Sequence, residues 1–253
     1  GTDLDKLALS TEKLLAGTDS EITTVGYYCN PIQYAEHRKT LENVICTAGK
    51  FGATHVSTFA GAWEGKPVES AYEEFGKVFR ELADLAEEKG VKLGIENCLM
   101  DGTWEHATCN IGFNPKAWEV MFEEVKNDNF GLEWEPTHQM VQLIDPVTEL
   151  RKWCKKIVHI HGKDATIDWD AVRHSGISGA VPFVWHRMPG FGDTNWRDII
   201  SILRSNGYED DICIEGYHDP VYSGELEMTG QLHALNYLKW CRGGDFTQTP
   251  WEK

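Results

Sequence analysis

Apolar and polar residues along this chain switch repeatedly between a helical and a strand period, a pattern that predicts stacked βα units. Between residues 69 and 89, Ala71, Phe75, Val78, Phe79, Leu82, Leu85 and Ala86 recur at three- and four-residue spacing, which gives a helix one apolar face. Gly90 then supplies a left-handed cap, and "VKLGIEN" follows as the nearly continuous apolar run of a strand buried on both faces. The same order of helix, glycine and strand recurs at Gly52 before "THVSTFAG" and at Gly207 before "DICIEGYH". Asn114-Pro115 and Asp145-Pro146 each set a capping side chain before a proline at the first helical position. The helices they start carry Trp118, Met121, Phe122 and Val125, and Val147, Leu150 and Cys154. Residues 4–16 also read as helix, and six strands are predicted at about 22–28, 54–60, 92–98, 130–135, 157–162 and 211–216. From about 165 to 194 no regular element is predicted; "GISGAVPFVWHRMPGFGDTNW" reads as a Gly/Pro-punctuated, aromatic loop that covers a substrate.

Repeated βα units with no low-complexity divider predict a single α/β domain over residues 1–253, built as a (β/α)8 barrel. A closed barrel of that type uses eight parallel strands. Six are visible, so the expectation is that the first two βα units precede Gly1 in the natural protein.

Composition narrows the partners. Asp and Glu total 40 against 24 Lys and Arg, a formal charge of −16, which argues against nucleic acid or an anionic membrane surface and favours a small neutral substrate. The start "GTDLDKLALS" has no signal-peptide pattern and no apolar run is long enough to span a bilayer, so a cytoplasmic location is expected. Seven scattered cysteines without a CxxC pair indicate neither a disulfide framework nor a zinc knuckle, and most are expected to be buried thiols.

Chemistry concentrates where apolar runs end. Glu96, Glu135 with His138, His161 and Glu215 follow "VKLGIEN", "FGLEWEPTH", "KIVHIHGKD" and "DICIEGYH", and in an α/β barrel the C-terminal strand ends converge on one face. A carboxylate at such a position is costly to bury without a cation or hydrogen bonds. Three carboxylates and one imidazole form a mostly hard-oxygen set suited to Mn²⁺, with Mg²⁺ and Co²⁺ as the other fitting ions. The competing reading is that each glutamate pairs with Arg or Lys at the rim. Strand alternation puts Glu133 and Glu135 on the same side, so periodicity does not choose between them; Glu135 is preferred because it lies nearer the strand end. By the same argument His161 is preferred to His159, which reads as a supporting donor or a satisfied core histidine. His37, His55, His174 and His233 read as structural. Lys163 and Asp164 are placed to bind a substrate oxygen or to form a rim ion pair. Trp104 and His106, in the loop after Glu96 with Asp101, suit a sugar ring, against the plainer reading of a capping indole and a solvated imidazole. Arg187, beside His186, offers a planar fork for a hydroxyl or carboxylate. The glycines of "PGFGD" make a weak phosphate cradle, which favours a non-phosphorylated sugar or polyol.

With these residues in view the sequence resembles the xylose isomerase-like TIM-barrel superfamily, in its sugar phosphate isomerase/epimerase group. "GIEN", "EPTH", "HIHGKD", "PGFGDTNWRDIISILRSNGY" and "IEGYHDP" fall in family order, and the resemblance covers nearly all of the chain from about residue 20. It implies Glu96, Glu135, His161 and Glu215 as ligands of one divalent ion, usually Mn²⁺, with His138 near the substrate. Glu135 stands where the family usually has Asp, one methylene shorter. Endonuclease IV-like relatives are set aside, because "FAGAW" lacks the histidine expected there and the charge is wrong for DNA.

The resemblance implies a metal-dependent sugar isomerase or epimerase in which Glu96 and Glu215 remove and return a proton next to a carbonyl, with His138 in support. Two alternatives stay open. One is a lyase like the catalytic subunit of C-glycoside deglycosidases, acting on 3-oxo-glycosides with His138 or His106 as base and a small β-rich partner subunit. The other is a non-catalytic sugar-binding barrel. Homo-oligomers are the usual state of this architecture.

Overall fold

A computed structural model describes residues 3–244. In chain order the elements are α1 (Leu4–Leu15), β1 (Thr24–Gly26), α2 (Ala35–Thr47), β2 (His55–Thr58), α3 (Tyr72–Glu88), β3 (Lys92–Glu96), α4 (Pro115–Glu124), β4 (Phe130–Trp134) and α5 (Pro136–Met140). They continue with α6 (Pro146–Trp153), β5 (Ile157–Gly162), β6 (Asp164–Ile167), α7 (Trp169–Ser175), β7 (Val184–Arg187), α8 (Trp196–Ser205), β8 (Ile212–Ile214) and α9 (Glu227–Arg242). All six strands expected from the apolar runs are present; β5 keeps its expected bounds and the other five are shorter. The helix signals act as read: Asn114 accepts from Lys116 N–H, Asp145 accepts from Thr148 N–H, and Gly90, at φ +70°, sits just past α3 in the left-handed region that a side chain would strain.

The expectation of no regular structure over 165–194 is corrected. β6 and β7 pair antiparallel from Asp164↔Arg187 to Ile167↔Val184, with α7 between them in sequence. Four-residue strands that are only partly buried carry too short an apolar pattern to stand out, and their ladder is fixed by the partner strand.

Contacts divide the chain into two compact units. The first runs to Gln139 and adds Lys156–Ile160; the second comprises Met140–Lys155 and the chain from His161 onward. Among the described residues no helix is long and apolar enough to cross a membrane.

In the first unit β1, β2, β3, β4 and β5 lie side by side in that order, all parallel, with Ile95 opposite Leu132 and Glu96 opposite Glu133. Leu93, Ile95, Leu132 and Trp134 are fully buried along these strands. The apolar face of α3 buries Phe75 and Phe79, stacked at 4.6 Å between centroids and packed on Phe130, while α4 adds Trp118, Met121 and Phe122. Each such side chain contributes about 1.5–3 kcal/mol through removal from water. Gly131 lies next to the point where β4 shifts register against β5, and a Cβ there would overlap the Lys156 carbonyl oxygen and sit 2.6 Å from Val158 Cγ1. Because one of those neighbours is backbone, Gly131→Ala is expected to cost about 2 kcal/mol, read from the urea midpoint. An unchanged midpoint would refute the close approach.

In the second unit Glu215 N–H donates to Gly162 O at 3.0 Å, joining the segment after β8 to the end of β5. α8 buries Trp196, Ile199 and Leu203, and it packs on α6 and α9.

Candidate metal centre

At the ends of β3 and β4 two asparagines set the backbone. Asn97 donates to Glu135 O at 3.0 Å and accepts from Glu135 N–H at 2.7 Å, so one side chain ties the residue after Glu96 to Glu135. Asn110 donates to Glu96 O and Cys98 O at 2.9 and 2.8 Å, and accepts from Ala60 and Gly112 N–H. Both asparagines are fully buried. Fixing the main chain on either side of a carboxylate fixes where that carboxylate points.

Glu96 is 8% exposed and Glu135 is fully buried. His138 Nε2 lies 3.3 Å from Glu135 Oε1. Burial works against a charged imidazole at His138, but the Glu135 carboxylate and hydrogen bonds to Cys98 and Glu135 outweigh it and hold the group well above its ordinary value. One ligand-type atom each from Glu96, Cys98 and His138 lie within 4.8 Å of one another. Glu133, equally buried, turns to other partners: it accepts from Tyr28 O–H at 2.9 Å and lies 3.8 Å from His159 Nε2. His159 Nδ1 is also 3.4 Å from Thr24 Oγ1, which makes it a buried, partnered histidine. His55 Nδ1 pairs with Thr54 Oγ1 and His37 Nδ1 accepts from Asn30 N–H, as structural histidines do. Trp104 is half-buried with its indole N–H on Glu69, and His106 is exposed; neither belongs to the cluster around Glu96.

The second unit gathers His161, Lys163 and Glu215. His161 Nδ1 lies 3.3 Å from Glu215 Oε2, and Lys163 Nζ lies 2.9 Å from Glu215 Oε1. Lys163 is only 3% exposed, so its ion pair is buried on one side. Arg187 pairs with Asp219 at 3.3 Å and lies over the Phe191 ring at 5.8 Å. The two readings offered for Asp164 are both corrected, because its carboxylate accepts four backbone N–H groups, from Ala165, Gly190, Gly192 and Thr194. It shapes the "PGFGDT" loop from inside, and a residue contact so local to the tertiary fold has no signature in spacing.

Asp219 holds the other end of that loop, accepting from Met188, Val221 and Tyr222 N–H. Burial opposes its charge, but the three N–H groups and Arg187 outweigh burial and hold the carboxyl below its ordinary 3.8. A depressed folded-state pKa adds stability that is present above 3.8 and lost as pH falls through the folded value. Asp219→Asn is therefore expected to flatten the acid limb of a stability-against-pH curve below pH 3.8. Urea midpoints across that range check it; an unchanged slope counts against the charge.

The donor chemistry of each unit fits a divalent cation: the first brings buried carboxylates with an imidazole, the second an imidazole beside a carboxylate. All seven cysteines are free, and only Cys29 and Cys154 are buried, fewer than expected. Strand-end spacing does not point to Asn110, Tyr28 or Cys98; only Asn97, directly after Glu96 at a strand end, carries a local signal.

Comparison with known proteins places this chain further. A family model described as a xylose isomerase-like TIM barrel matches residues 3–239. An inosose dehydratase of Clostridium tetani is 26% identical over 182 residues, which cover 70% of this chain and 57% of that protein; the match thus spans little more than half the relative's length. Among solved structures, a xylose isomerase domain protein from Planctomyces limnophilus superposes with a TM-score of 0.73 at 17% identity, covering 94% of this chain and 83% of that one. The IolI protein, in a structure with a bound zinc atom, gives 0.65 at 21% identity over 95% and 80%.

Proposed function

From a chain that belongs to the xylose isomerase-like TIM-barrel family, we propose a divalent-metal-dependent enzyme that removes a proton next to the carbonyl of a keto-sugar or cyclic keto-polyol. Glu96, Glu135, His161 and Glu215 are the proposed ligands, as the family resemblance implies. A divalent cation held by them, Mn²⁺ by the hardness of the donors, would polarise the carbonyl and a neighbouring hydroxyl and so acidify the C–H between them.

The observation that carries the reading is the Lys163–Glu215–His161 arrangement, a carboxylate held by a buried ammonium and beside an imidazole. Glu215 takes the proton; the C–H electron pair becomes a C=C bond as the β-hydroxyl leaves. His138, 3.3 Å from Glu135, is the proposed acid: its imidazolium gives a proton to that hydroxyl, which departs as water. The name of the Clostridium tetani relative supports this dehydration of an inosose-like substrate. Lys163, Arg187, Trp104 and His106 are the proposed substrate contacts.

A second reading has its own support. Glu96 is a second, nearly buried carboxylate, and if it returns the proton the outcome is epimerisation, or isomerisation if the proton returns to the adjacent carbon.

The test is NMR in D₂O with Mn²⁺-loaded protein and a panel of inososes, ketohexoses and 3-oxo-glycosides, with ultraviolet absorbance followed in parallel. Deuterium at the carbon next to the carbonyl together with a new conjugated-ketone absorbance is expected. Exchange without that absorbance selects the second reading. Bound metal with no exchange on any substrate overturns both.

A further inference from the structure

The Glu96, Cys98 and His138 cluster has a different chemistry from the oxygen-rich set, and it lies wholly within the first unit. A carboxylate oxygen, a thiol sulfur and an imidazole nitrogen lie within 4.8 Å of one another, with Glu96 and His138 each no more than 9% exposed and Cys98 half-buried. Asn110 accounts for the closeness, because it holds the carbonyls of both Glu96 and Cys98 and so folds the chain after β3 back on itself. His138 arrives from α5, the short helix that follows β4.

We propose that Glu96, Cys98 and His138 form a second, thiolate-containing site that takes a softer divalent ion, Zn²⁺ above all. Three protein ligands that include one sulfur and one imidazole, with a fourth position open to water, match the preferences of zinc, which binds thiolate at about 2.3 Å and imidazole at about 2.0 Å. Such a donor set ranks zinc far above Mn²⁺. On binding, Cys98 loses its thiol proton and the charged His138 its second ring proton, both to solvent, as the sulfur and the imidazole nitrogen form their bonds to the ion, so uptake releases protons. Glu96 belongs to this set and to the proposed hard set. A zinc ion at Cys98 therefore engages a carboxylate that the Mn²⁺ site needs, and zinc in excess inhibits the manganese-loaded enzyme. Only that inhibition rests on the reading under Proposed function; the zinc site itself does not.

Cobalt(II) titration of the full, metal-stripped chain tests the site without an activity assay, because cobalt bound by thiolate gives an intense near-ultraviolet charge-transfer band that oxygen and nitrogen ligands do not. The band is expected in the native protein and in Glu135→Gln and Cys109→Ser. Its loss is expected in Cys98→Ser, and a strong weakening in His138→Ala, with circular dichroism showing that each variant is folded. Visible cobalt bands without the near-ultraviolet one would overturn the thiolate site and leave the hard-donor reading intact. A band that survives in Cys98→Ser would place the sulfur elsewhere and also overturn it. No cobalt absorption at all would remove both sites.

Discussion

Glu215→Gln is expected to slow exchange of the proton next to the carbonyl by about 1,000-fold, the usual scale for losing a positioned general base. The amide keeps the size of the side chain and can still accept from Lys163 Nζ, which lies 2.9 Å from Glu215 Oε1. It cannot take a proton from carbon. Because Lys163 is 3% exposed, loss of the opposing charge also has a stability cost. Glu215 itself is 29% exposed at the side chain, so solvent screens the pair and the cost is nearer 2 kcal/mol than the 3–5 typical of a fully buried one. A double variant separates the two effects. Lys163→Met with Glu215→Gln removes both charges and should recover most of the thermal midpoint, while exchange is not restored above the level of the single Glu215 variant. Exchange near the native rate in folded Glu215→Gln would remove this residue from the mechanism.

Asp164→Asn is expected to lower stability by about 3 kcal/mol, or the thermal midpoint by about 10 °C, with little effect on metal uptake. The carboxylate accepts N–H groups from Ala165, Gly190, Gly192 and Thr194 at 2.8–3.2 Å, in a position with no solvent exposure. An amide has one oxygen, which serves about two of the four, and its NH₂ then faces the remaining donors at about 1–3 kcal/mol each. One effect opposes this. Burial pushes the Asp164 carboxyl up, against the Thr194, Gly190 and Ala165 hydrogen bonds that draw it down. A raised folded-state pKa gives stability that is present at low pH and lost as pH rises through the folded value, so the neutral amide escapes a charge cost that the native protein carries at pH 7. The unsatisfied donors outweigh that saving, and the difference between variant and native protein should be smallest in neutral solution and grow toward acid. A variant as stable as the native protein at every pH would show that the four amides find other acceptors.

The six predicted strands were legible because strands buried on both faces must be apolar nearly throughout, and glycine or Pro-initiated helices frame them. β6 and β7 were not, because "DATI" and "VWHR" carry no comparable run and gain their structure from pairing with each other. The strand-end position of Glu96, His161 and Glu215 was legible for the same reason as the strands. Glu133 and Glu135 were not separable by alternation; their neighbours part them, Tyr28 and His159 taking Glu133 and His138 taking Glu135.

Residue order alone therefore determined the α/β class, the family, and a row of carboxylates and imidazoles at strand ends, since all three follow from local periodicity and short motifs. Tertiary structure alone decided which polar group meets which: the clamp of Asn97 on Glu135, the four amides on Asp164, the closure of Lys163 on Glu215, and the approach of Cys98 to His138. The physical reason is range. Periodicity is written by the backbone over a few residues, whereas a hydrogen bond or ion pair between residues 38 or 52 positions apart is set by how strands and loops pack, and no spacing in the chain encodes it.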